Sequence, residues 1–233
     1  MTKPSLQEFF DVVHSNQRAN RINFPQWYTF IERIDDCFAR AGANLINPTP
    51  VLTGMLLLRC QYAFKTAAGM ALAGQIVEPF AILRSVLEDA GYCLTIYETP
   101  ALESVFISRH FGVEEMRAQK DAFKISVIRA VIGRYDAKLA EVFNELYQRS
   151  IDFGGHPNPY GSFSALVLDG RGEQTGMMAV AISDDPKMVA HALKSTAQIG
   201  LTALHILQHV FKEKFELLGI RQDIEALRRS GML

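Results

Sequence analysis

Along most of the chain, apolar residues recur at three- and four-residue steps, and that period predicts helices. LQEFFDVVHSN (residues 6–16) reads as a short first helix. Pro25 suits the first turn of a second, PQWYTFIERIDDCFARAG, which Gly42 can end. ANLINPTP is a linker rich in turn formers, and Thr49-Pro50 opens a long third helix running to about Gly74. A fourth begins at Pro79, with Leu83, Leu87, Ala90 and Leu94 on one face. Thr99 and Glu103 approximate a capping pattern for a fifth, which carries ISRHFGVEEMRAQKDAF. Another helix runs from about Asp136 to Ile151.

After residue 160 the period shortens. SFSALVLD and GMMAVAIS flank DGRGEQT, a pattern that predicts a hairpin or two extended segments. Ser183 or Asp184 is expected to cap the next helix, with Pro186 near its first position. That helix, the longest, ends near Gly219, and IRQDIEALRRSGML forms a short tail helix. The expected fold is mainly α: a bundle of about six to seven helices with a small β-hairpin excursion. One domain spans residues 1–233, in which 1–47 can form an N-terminal helical appendage.

Composition narrows the functional classes. A protein of 233 residues buries roughly 70% of its unfolded surface and needs no staples. Lys and Arg number 24 against 25 Asp and Glu, which argues against strong non-specific nucleic-acid binding. Cys37, Cys60 and Cys93 form no C-x-x-C pair, so free thiols in a reducing cytoplasm are expected. MTKPSLQEFF lacks the apolar run of a signal peptide. The most apolar stretch, LLLRCQYAFKTAAGMALAGQIV, is interrupted by Arg59 and Lys65, so no membrane span is expected. Ala63, Ala67, Ala71 and Gly74 make a small-residue stripe that lets another helix approach closely. That helix is either the fourth of the same molecule or the same helix of a second copy. With the apolar last helix, the stripe motivates the expectation of a homodimer.

Candidate chemistry concentrates in DFGGHPNPYGSF (residues 152–163). Pro157 and Pro159 bias His156 and Asn158 toward extended geometry, giving a stiff turn that presents His156, Asn158 and Tyr160. Arg84 and Glu88 lie one turn apart on an otherwise apolar helix, continued by Tyr92 and Thr95. Arg59, Tyr62 and Thr66 make a second polar stripe. An arginine among leucines is costly to bury unless paired. Two readings follow. The stripes form structural ion pairs, or Arg59, Arg84, Glu88 and His156 line a polar pocket for an anionic small ligand or a phosphodiester. His205 and His209 have the spacing of two zinc ligands but lack the H-E-x-x-H glutamate. With His191, Gln198, Thr202 and Lys212 they read as a solvated seam, and no metal site is expected. No P-loop, G-x-G-x-x-G or nucleophile elbow is present, and no cofactor is expected.

Arg149 and His156 are spaced R-x6-H at the end of a helix. In that spacing, and in its mainly helical character, the protein resembles the HEPN superfamily, which includes ribonucleases with an Arg, four to six residues, then a His. Leu83, Arg84, Ser85 and Glu88, with His156, Pro157 and Asn158, are also similar to a group of uncharacterised bacterial helical proteins, some of them HEPN-like. The sequence departs from the ribonuclease pattern at Ser150, where active enzymes prefer Asn, Asp or His, and at the two glycines before His156. The resemblance implies a metal-independent endoribonuclease of toxin or defence type, or an inactive relative. His156 would act as general acid or base and Arg149 would steady the phosphate, across a dimer interface. The residues themselves support a non-catalytic binding or interaction protein, with Arg59, Arg84, Glu88, His156, Asn158 and Tyr160 around its pocket.

Overall fold

The computed structural model describes residues 5–48, 50–155, 166–171, 174–179 and 181–231. The fold is mainly α. Helix α1 (Leu6–Asn23) starts at a capping box in which Ser5 and Glu8 each accept the other's backbone N–H. It runs a further two turns beyond the apolar stretch that announced it. Helix α2 (Pro25–Ala43) has Pro25 in its first turn and buries Phe30, Ile34, Cys37 and Phe38.

Helices α3 (Val51–Leu72) and α4 (Glu78–Glu98) form the central antiparallel pair. Ala67 and Ala71 of the small-residue stripe are fully buried within it and serve packing inside the molecule. Gly74 adopts φ +85° just past α3, the left-handed turn that lets the backbone reverse into α4.

Helices are more numerous than the six or seven expected. The predicted fifth helix is broken into α5 (Leu102–Ile107), a 3-10 turn (Ser108–His110) and α6 (Val113–Ala122), split at Gly112. Helix α7 (Ile125–Tyr135) follows, a segment that carried no expectation, although Ile128, Val131 and Ile132 are buried at helical spacing. Glu103 does not cap its own helix. Its carboxylate accepts the Leu52 N–H at 3.0 Å, capping α3, where Pro50 has no side-chain acceptor to offer.

Helix α8 (Ala137–Ser150) is capped by Asp136 at the Leu139 N–H, 3.0 Å away, and ends in a π-helical turn, Ile151–Gly155. Strands β1 (Leu166–Arg171) and β2 (Gln174–Ala179) pair antiparallel, with Leu166 opposite Ala179 and Arg171 opposite Gln174. Helix α9 (Pro186–Val210) is capped by Asp185 rather than Ser183 or Asp184; the Ser183 hydroxyl instead accepts the Asp185 N–H. It stops at Phe211, short of the expected Gly219, and α10 (Lys212–Leu217) and α11 (Ile220–Arg229) follow. The left-handed Gly219, φ +69°, joins the last two.

The core gathers α2, α3, α4, α7, α8, α9 and α11 into one apolar cluster. Gly200 of α9 lets that helix press directly on Phe64 and Ile34: a methyl added there would lie 2.9 Å from Ile34 Cγ2. Helix α11 is tied to α2 through Arg40, which donates to the Leu218 carbonyl at 2.6 Å and pairs with Asp223 at 2.5 Å. Among the described residues, no helix is long and apolar enough to cross a membrane.

Candidate functional site

Among the described residues, the two polar stripes make separate contacts. On α4, Glu88 accepts the Tyr147 hydroxyl at 2.9 Å and pairs with Arg84 at 3.5 Å. Arg59 reaches Asp89, at 3.4 Å, from an exposed position on α3. Tyr147 of α8 thus gives Glu88 a donor besides Arg84. These contacts are ion pairs and hydrogen bonds within the bundle. His156, Asn158 and Tyr160 lie outside the described residues.

The entry to that loop is described and is tightly held. Phe153 packs against Phe80 of α4 and His191 of α9, with ring centroids 5.3 Å and 4.9 Å away. Gly154 comes against the Val77 carbonyl and the Phe80 side chain; an added methyl would lie 3.2 Å from Phe80 Cβ and closer still to Val77 O. The glycine therefore serves close approach, not a left-handed turn. Burial, with Arg149 and Lys194 nearby, holds the His191 imidazole below its ordinary pKa.

A cavity opens on the other face of α8, toward α9 and α11. It has a volume of about 280 Å³ and lies among Asp136, Arg149, Gln198, Thr202, His205 and Arg228, with apolar walls from Leu139, Val142, Leu146 and Leu201. Its position follows from two matched stripes. On α8, Lys138, Val142, Glu145 and Arg149 recur at steps of four, three and four residues. On α9, Gln198, Thr202, His205 and His209 do the same. Each stripe follows one helix face for about 16 Å. Arg149 meets Gln198, while Asp136 lies near His205, so the stripes run antiparallel.

Arg149 is held from both sides. It donates to Gln198 Oε1 at 2.7 Å and to Glu145 Oε1 at 2.7 Å. Arg228 reaches the cavity from α11, where Ile224 and Leu227 are buried beneath it. Its Nη1 lies 3.2 Å from His205 Nε2. A guanidinium has no acceptor, so the imidazole nitrogen it meets must carry a lone pair. His205 is therefore neutral with its proton on Nδ1. Burial, helped by Arg228, pushes the His205 pKa down to about 4, and Asp136 only partly offsets this.

The histidine seam is thus not the solvated face expected. His205 and His209 are half-buried, and Tyr135 packs against His209 with ring centroids 4.7 Å apart. Periodicity displayed the seam; it could not reveal that α8 and α11 cover it. Arg228, in the last turn of the tail helix, gave no sequence signal beyond its charge. Arg149 was singled out and does line the cavity, whereas Arg59, Arg84 and Glu88 do not. Among the described residues, no cluster of His, Cys, Asp or Glu could hold a metal ion.

Comparison with family models, with curated proteins and with solved structures returns no match.

Proposed function

We propose that this is a non-catalytic binding protein whose ligand is a small amphipathic anion held in the α8–α9–α11 cavity. The observation that carries the reading is the pairing of two guanidiniums, Arg149 and Arg228, with apolar walls around one opening. At about 280 Å³ it sits just under the ~300–1,000 Å³ of drug-sized sites and suits a metabolite of modest size. The arginines meet a carboxylate, sulfonate or phosphate, and Leu139, Val142, Leu146 and Leu201 take its apolar body. Titrating the full-length protein with benzenesulfonate, followed by NMR, tests this. The parent is expected to bind, and Arg228→Gln to weaken binding about 10–100-fold, the loss of one hydrogen bond to a charged group. An unchanged affinity in that variant removes the site.

A second reading, HEPN-like ribonuclease activity, draws on Arg149. It lies in the last turn of α8, lines the cavity and precedes the segment that carries His156. On that reading the parent cleaves RNA without metal, and His156→Ala and Arg149→Ala do not. RNA left intact by the parent removes it.

A further inference from the structure

We propose that an anion in this cavity binds between Arg228 and a protonated His205, so that each anion bound takes up one proton from solvent; the proposal rests on the ligand-binding reading above. The geometry makes the two events exclusive of the empty arrangement. In the empty cavity, His205 Nε2 accepts from Arg228 Nη1 at 3.2 Å. An imidazolium has no lone pair to offer, so this contact exists only while the ring is neutral. An entering anion is the better acceptor for Arg228, because charge-assisted bonds are the stronger ones. It displaces the ring from the guanidinium. Nε2 then holds an unused lone pair beside a negative charge. It binds a proton and becomes a second donor to the anion.

Arg228 is the cation best placed for this role. Arg149 is engaged by Glu145 and Gln198, and Lys138 is paired with Glu141 at 3.4 Å. Among the described residues, no carboxylate forms an ion pair with Arg228. The charges around His205 come from every element packed on it. Arg228 of α11 and His209 of α9 oppose its protonation, whereas Asp136 at the head of α8 and Glu225 of α11 favour it. Burial is the largest cause of the low pKa of the ring. A bound anion opposes that burial cost at the one place where the ring can use it. The free ring titrates near 4 and the anion-bound ring higher, so affinity rises as pH falls between those two values and is flat above the higher one.

The test is calorimetric titration of the full-length protein with benzenesulfonate, whose charge does not change over this range, between about pH 5 and 7. Two buffers of different ionisation enthalpy count the protons. The expected result is proton uptake approaching one per anion at the acidic end, with affinity rising at most about tenfold per pH unit. In His205→Gln, whose amide can accept from Arg228 and also donate to the anion, binding persists with no proton uptake and a flat pH profile. NMR titration of the His205 ring in the parent gives the same answer without the variant: its pKa rises when benzenesulfonate is present. Binding with a flat profile and an unmoved ring overturns the proton linkage and leaves the ligand-binding reading standing. No binding at any pH overturns both.

Discussion

Asp89 is buried beside Arg59, yet among the described residues its Oδ2 has no hydrogen-bond partner. Burial pushes its carboxyl from 3.8 up to about 6, and Arg59, itself exposed, only partly offsets this. A folded-state pKa above the unfolded one means that the native protein holds the extra proton. Across about pH 4 to 6, stability therefore falls as pH rises; the contribution is complete below that window and lost above it. Asp89→Asn is expected to stabilise the protein by roughly 1–3 kcal/mol at pH 7 and by almost nothing at pH 4. Urea denaturation at both pH values checks this, and equal stabilities at pH 7 refute it. Sequence reasoning fixed on Glu88 instead, because Arg84 stood one turn away on the same stripe. Neighbouring residues on a helix point about 100° apart, and on a helix apolar around most of its circumference the pattern cannot say which acid faces inward. Arg149 was legible because its chemistry and its place at a helix end coincided. Arg228 was not, because an arginine in a short amphipathic tail helix reads as solvated surface until another element packs on it.

At the scale of elements, apolar periodicity located α2, α3, α4, α8 and the long α9, because each buries a wide face and the period survives whatever it packs against. It gave no account of α7, and it ran α5 and α6 into one helix, since the break at Gly112 depends on how the exposed α5–α6 corner folds. Caps were read locally, whereas one depends on which groups meet in space: Glu103 caps a helix about fifty residues away. Close approach was likewise hidden. A glycine within a helical pattern reads as a mild cost to helix stability, yet at Gly200 the missing side chain lets α9 sit on Phe64 and Ile34. An added methyl would meet the Phe64 ring, with Cδ2 at 2.8 Å, and both neighbours are fully buried. Gly200→Ala gains about 1 kcal/mol of helix propensity. Overpacking is expected to outweigh it, giving a net destabilisation of about 1–3 kcal/mol by chemical denaturation. A variant as stable as the parent would show that the α3–α9 contact yields without strain.

For the whole molecule, the expected N-terminal appendage poses a question of cooperativity. Helices α1 and α2 are joined to the rest by different means. Helix α2 contributes Phe30, Ile31, Ile34, Cys37, Phe38 and Ala41 to the common core, and Arg40 ties it to α11. Helix α1 buries only Asn20. Its hold is polar: Asn16, Gln17 and Asn20 donate to the carbonyls of Ala73, Gly69 and Leu72 at 3.1, 2.9 and 2.9 Å. These carbonyls lie at the C-terminal end of α3, where helical N–H donors run out; that of Gly69 also accepts the Ala73 N–H at 3.1 Å. The amides of α1 therefore cap the end of α3, and removing them exposes those carbonyls to water rather than opening the core. Each such bond contributes about 0.5–1.5 kcal/mol. Deleting residues 1–23 is thus expected to leave one cooperative calorimetric transition with Tm lowered by roughly 3–18 °C, at about 2–4 °C per kcal/mol for a protein of this size. Deleting residues 1–43 removes six core side chains with α2 and is expected to abolish the transition. A transition that survives loss of α2, or a Tm unmoved by loss of α1, would show that the segment folds apart from the bundle.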